Sequence, residues 1–345
     1  MKIITVFFCL LILMSSINAA VAVEFTPTPT GSVIICEGLL PPLPSEFEVY
    51  TVEDLRAIDY QPSNIISIEL MNDIEITDEF WKPIGSSNKP FTGEFYGNNH
   101  TITFTKDTEF IPAVGSENSG CGLFGYIYDG QIRDLNIVLQ GNLTSTENNT
   151  GTLVGIINLN YSAVLVSSSP PVATILNCSV SGDGYFVSGK ENVGGMVGNI
   201  IRGSIKNSSS DCSVITSESN AGGLVGFVSH GTILDSSASG SVKARGNVGG
   251  FIGYILNETT ISNSSASGSV ESTGPSGNFI GYWDKNYKPT VMNCIYRGTE
   301  VDLDAPPTPD VIFCYPRSPI LFYLAAGIGI ILLIAAAAIL YFKKK

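Results

Sequence analysis

Ala221-Gly-Gly-Leu-Val-Gly-Phe-Val-Ser-His-Gly-Thr-Ile-Leu-Asp235 is the stretch that decides the fold. Its glycine motif, Gly222-Gly-Leu-Val-Gly226, has five relatives: Cys121-Gly-Leu-Phe-Gly125, Gly151-Thr-Leu-Val-Gly155, Gly194-Gly-Met-Val-Gly198, Gly249-Gly-Phe-Ile-Gly253 and Gly277-Asn-Phe-Ile-Gly281. Their last glycines are separated by 30, 43, 28, 27 and 28 residues. A second ladder runs between them: Ile132, Ile175, Ile205, Ile233, Ile261 and Val291. Two residues beyond each rung stand Asp134, Asn177, Asn207, Asp235, Asn263 and Asn293. A fixed period of this size, kept by two ladders in step, signals a solenoid.

The pieces within one period are short, as in Gly250-Phe-Ile-Gly-Tyr-Ile255, and Ser, Gly and Asn separate them. Helical repeats need long stripes at 3.6 spacing, and propeller blades need about 40 residues. Three short strands and their turns fill one coil of a right-handed parallel β-helix of about 28 residues per turn, which is all-β and held by the stacking of neighbours. The expected core column is Leu123, Leu153, Met196, Leu224, Phe251 and Phe279. The motif's last glycine shares their face and lets the wall come close to the core. The Asn/Asp row is expected at a corner, because Asn tolerates unusual dihedrals and its amide can pair with its copy one coil away. The residue after the motif faces outward, giving a candidate aromatic stripe of Tyr126, Ile156, Asn199, Phe227, Tyr254 and Tyr282. It serves either as a binding face or as cover for the sheet. The long interval carries an insertion centred on Tyr161 to Thr174, with Pro170-Pro171 inside it. An insertion in one coil maps to a loop leaving the solenoid.

Thr51-Val-Glu-Asp54 has the spacing of a capping box, and Val52, Leu55 and Ile58 form a helical stripe suited to closing a solenoid end. Further on come Trp81-Lys-Pro-Ile-Gly85 and Phe91-Thr-Gly-Glu-Phe-Tyr-Gly-Asn-Asn-His-Thr-Ile102. With the glycine motifs, this order resembles the GLUG-repeat surface and adhesin-like proteins, whose repeats also accompany the catalytic domain of IgA-specific metallopeptidases. The resemblance runs from about Val49 to Tyr296 and implies a β-helix displayed on a cell surface. It does not extend to the peptidase chemistry: the chain has only His100 and His230, and no H-E-x-x-H.

The ends read as targeting segments. Residues 1–22 have the basic start, apolar core and Ala20-Val21-Ala22 site of a secretory signal peptide. Residues 23–47 are Pro-rich, 48–300 form the capped β-helix and 301–319 a stalk. Ile320 to Phe342 is free of charge and proline, long enough for a transmembrane helix. Lys343-Lys344-Lys345 marks the cytoplasmic side. The expected protein is therefore single-pass type I, with its ectodomain on the cell surface.

Net charge is −13, and only 14% of residues are charged, against roughly 25% in ordinary domains. A body this acidic has no footprint for nucleic acid. Six cysteines remain after Cys9 leaves with the signal peptide, compatible with disulfides in an exported chain. Cys178 and Cys294 sit four coils apart, roughly 19 Å at one strand spacing per coil, which a disulfide cannot span. Cys294 with Cys314 is the preferred pair. Sequons at Asn99, Asn142, Asn148, Asn160 and Asn257 are glycosylation candidates, while those at Asn177, Asn207 and Asn263 belong to the corner row. No metal-ligand spacing, cofactor motif or catalytic constellation emerges. His100 and His230 read as turn residues, and acids are sparse along the coils. The sequence thus points to a non-catalytic surface protein for adhesion or envelope structure, with cell-surface glycans or proteins as partners. The alternative is a carbohydrate-active β-helix enzyme, a polysaccharide lyase or hydrolase, which needs clustered carboxylates.

Overall fold

The computed structural model describes residues 46–60, 67–112, 120–159, 175–301 and 303, all within the compact unit Pro44–Lys345. The signal segment, the inserted loop, Asn160, Cys314 and the apolar carboxyl run lie outside the described residues. No helix among the described residues is long and apolar enough to cross a membrane.

The chain winds as an all-β parallel solenoid of right-handed type, about seven turns of about 28 residues. Its register is the one the isoleucine ladder sets. Ile132, Ile175, Ile205, Ile233, Ile261 and Val291 pair in succession. The column continues backwards through Phe95, Ile68 and Phe47, where aromatic and polar neighbours hide the period in the sequence. Four sheets of 13, 9, 7 and 5 strands form the walls, rather than three strands per coil. One central coil shows why. Val225–Leu234 lies in the first sheet, Ser237–Ala238 in the second, Val242–Ala244 in the third and Gly246–Gly249 in the fourth. Asn247, with φ of 50°, lies within that fourth strand.

The expected core column is buried throughout, from Leu123 to Phe279, and the Phe251 and Phe279 rings stack at 4.7 Å. Strict alternation from Leu224 would turn Val225 outward, yet Val225 is fully buried. The cause is a repeated bulge. The carbonyl of Phe251 accepts from both Leu224 N and Val225 N, and the carbonyls of Leu224 and Phe279 do the same for the coils beside them. One carbonyl facing two N–H groups turns the chain, so two consecutive side chains enter the core. The motif's last glycine then runs against backbone. A Cβ on Gly226 would lie 2.5 Å from Asn192 C and Val193 N.

The corner row takes the predicted form. Asp134, Asn177, Asn207, Asp235, Asn263 and Asn293 all have φ between 50° and 55°, the left-handed region that Asn and Asp enter at least cost. Amide Nδ2 of Asn177 donates to Asp134 Oδ1 at 2.7 Å, and Asn207 to Asn177 at 2.8 Å. Asn263 donates to Asp235 at 3.0 Å, and Asn293 to Asn263 at 3.1 Å. A second row of the same kind joins Asn149, Asn192, Asn220 and Asn247. It stands two residues before the first motif glycine, an offset that spacing alone could have revealed.

The residue after the first corner row also stacks, as a buried column of Cys178, Ser208, Ser236, Ser264 and Cys294. Each serine hydroxyl donates to the carbonyl two residues earlier and accepts an N–H from the preceding coil. Cys178 and Cys294 thus end the same column, four coils apart, as the spacing requires. Among the described residues both are free thiols, like Cys121 and Cys212, and the expected partner Cys314 lies outside them.

At the amino-terminal end, Thr51 and Asp54 form the predicted capping box on the helix Val52–Ala57, and Leu55 and Ile58 enter the core. At the other end, Thr299–Glu300 folds back antiparallel on Ile295–Tyr296.

Candidate functional site

The outward column on the first sheet is the most regular surface feature. Tyr126, Ile156, Asn199, Phe227, Tyr254 and Tyr282 pair rung to rung, so the motif's register places them in one line. All but Ile156, which is buried, are half-buried. The Phe227 and Tyr254 rings meet edge-on at 5.3 Å, and Tyr254 and Tyr282 lie 5.5 Å apart. At the other end Asn158 Nδ2 donates to the Tyr126 hydroxyl at 3.2 Å. Asn199 turns its amide to Asn149 Oδ1 at 3.0 Å and interrupts the aromatic run. Burial first, then the nearby Asp284 and Tyr282, hold the Tyr254 phenol above its ordinary pKa, so it remains a neutral donor. The column offers ring faces, hydroxyls and no charge: a surface for stacking and hydrogen bonding.

The histidines part company. His100 follows the Asn98-Asn99 turn, its Nδ1 3.0 Å from Asp73 Oδ1. His230 is not in a turn but within the strand Val225–Leu234, paired with Arg202 of the preceding coil, since that strand runs unbroken past the glycine. Its Nδ1 lies 3.2 Å from the adjacent Ser229 hydroxyl. Among the described residues no group of three His, Cys, Asp or Glu is placed to hold a metal ion.

Burial pushes the thiols up: Cys178 and Cys212 to about 12, Cys121 to about 11. The sequons separate by the use of their amide nitrogen. Asn177, Asn207 and Asn263 spend Nδ2 on the corner row, and Asn257 donates to Ser229 Oγ. Asn142 is half-buried, its Oδ1 accepting from Phe186 N. Asn99 and Asn148 are exposed.

The family model described as the GLUG motif matches residues 217–243 and 244–271, the two central coils around Gly226 and Gly253. A crystal structure at 1.30 Å, named as that of a putative immunoglobulin A1 protease from Bacteroides ovatus, superposes with a TM-score of 0.54 at 21% identity. The match covers 75% of this chain and 79% of that one. The likeness is one of fold. No curated protein matches the sequence. The chain thus carries two GLUG motifs within a parallel β-helix.

Proposed function

We propose that the chain is a membrane-anchored cell-surface protein whose non-catalytic β-helix serves adhesion or envelope structure, with glycans or proteins of another cell or of the envelope as partners. The carrying observation is the outward column of Phe227, Tyr254 and Tyr282, an uncharged face repeated at coil spacing on a rigid rod. The apolar run Ile320 to Phe342, followed by three lysines, supports the anchor, and residues 1–22 support export. Protease added to intact cells should remove the β-helix and leave a short membrane stub. Protection in sealed cells would reject the topology. Cells bearing the protein should adhere to partner cells or envelope, and Tyr254→Ala combined with Tyr282→Ala should weaken that adhesion.

A further inference from the structure

Beyond the coil of Val180 the solenoid narrows, and a cleft opens at the step. From Val180 in the second sheet to Val187 in the third is seven residues. In the following coils Ser210 to Val214, Ala238 to Val242 and Ala266 to Val270 are each four. The three extra residues, within Ser181–Tyr185, stand out as a ledge over the narrower coils.

The ledge is fixed in place. The Asp211 carboxylate accepts from Ser181 Oγ and from Gly182 N–H. The Tyr185 carbonyl accepts from Ser213 N at 3.2 Å, and Phe186 N–H donates to Asn142 Oδ1 at 3.2 Å. A recess held this way needs little ordering when something binds in it.

Beneath the ledge lies a cleft of about 290 Å³. Tyr185 and Phe186, both half-buried, form its wall. Ser213, Ser241 and Ser269 line it one per coil, and Ile215, 37% exposed, supplies apolar floor. The charged groups of the lining, Lys243 and Glu271, pair at 2.7 Å and cancel.

We propose that this cleft binds a neutral saccharide, one or two rings of a glycan. Its volume is at the small end for ligand sites, about 300 Å³ upward, which suits a sugar ring rather than a folded segment. An aromatic wall facing a row of hydroxyls matches a pyranose, whose C–H face is apolar and whose rim is hydroxyl. A lining without net charge, on a chain of −13, disfavours phosphate, sulfate and uronate groups. The proposal rests on the adhesion reading and gives it a recognition site apart from the aromatic column.

The test uses the full chain in detergent on a panel of immobilised neutral mono- to tetrasaccharides of glucose, galactose, mannose and N-acetylglucosamine. Ser241→Trp fills the cleft, Ile215→Arg charges its floor, and Glu75→Ala changes an exposed residue of the strand Ile74–Ile76, outside both the cleft lining and the aromatic column. The parent should be retained on part of the panel. Both cleft variants should lose at least tenfold in retention with unchanged melting, and Glu75→Ala should match the parent. If Ser241→Trp melts early, Ile215→Arg decides. Retention that survives the cleft variants overturns the cleft. A parent that ignores the panel but still holds cells together overturns the cleft and leaves adhesion standing; one that does neither removes both.

Discussion

Asn207 and Asp235 occupy the same corner in consecutive coils, and no side-chain hydrogen bond joins them. Every other step of the row, from Asp134 to Asn293, has its amide rung. The reason is chemical: each amide donates toward the preceding coil, and a carboxylate has no N–H to give. The row is therefore two segments, Asp134-Asn177-Asn207 and Asp235-Asn263-Asn293, each beginning with an acid at its acceptor end.

Asp235→Asn should close the gap. The new amide would donate to Asn207 Oδ1 and still accept from Asn263, without strain at φ 50°. A net hydrogen bond contributes about 0.5–1.5 kcal/mol, and the lost charge assistance at this exposed corner offsets part of it. A raised denaturant midpoint in material free of glycan is expected, since the change also creates an Asn-Ser-Ser sequon. A midpoint at or below the parent's would show that the rung does not form.

Leu224→Asp should unfold the central coils. The side chain is fully buried, and an unpaired carboxylate there costs several kcal/mol or takes up a proton. Phe227→Asp on the opposite face should cost about 1 kcal/mol, because Phe227 is half-buried against the Tyr254 ring. A Leu224→Asp protein that melts with the parent while Phe227→Asp collapses would place the strand inside out.

Two glycines separate crowding from backbone strain. Gly226→Ala meets backbone at 2.5 Å, which cannot move aside as a side-chain tip can, and should cost about 3 kcal/mol or more. Gly184→Ala has open space but φ of +82°, so its cost should be about 1–2 kcal/mol. Comparing denaturant midpoints orders them; a milder Gly226→Ala would contradict the close approach.

Alkaline stability should follow the buried thiols. With folded pKa values raised to about 11–12 against about 8.5 unfolded, the native state holds its protons more tightly. The unfolded chain ionises first as pH climbs past about 9, so stability is full below that value and falls toward pH 12. Cys121, Cys178 and Cys212 should resist alkylation at pH 8 until the chain is unfolded, and ready labelling of the native protein would refute their burial.

Peptide mapping of folded, glycosylated material should find sugar on Asn148 and none on Asn177, Asn207 or Asn263, whose nitrogens are engaged. A glycan on Asn207 would mean that its rung to Asn177 is not made.

Much of this was legible because coil-to-coil pairing repeats the same residue type at the same offset. The Ile132-to-Val291 ladder gave the register, and the Asn/Asp row gave a corner. What stayed hidden depends on backbone geometry between coils. Val225 is buried by a bulge whose only trace is a shared carbonyl on Phe251. The separate fourth wall is built of strands of only two to four residues, too short to show an alternation of their own. The ledge at Tyr185 is a three-residue lengthening, visible only once Val180 and Val187 are known to stand on neighbouring walls. The outward column was legible as a line of positions, but its half-burial was not, because ring contacts such as that of Phe227 with Tyr254 depend on side-chain packing.

Stacked amide rows at strand spacing are also what holds amyloid together. Here one chain supplies all the layers, and the stack is stopped at both ends, by the helix Val52–Ala57 and by the reversed strand Thr299–Glu300. The molecule is a fibril of counted length. Each added repeat of about 28 residues lengthens it by about 4.8 Å, so the height of such a rod would be set by gene duplication, one layer at a time.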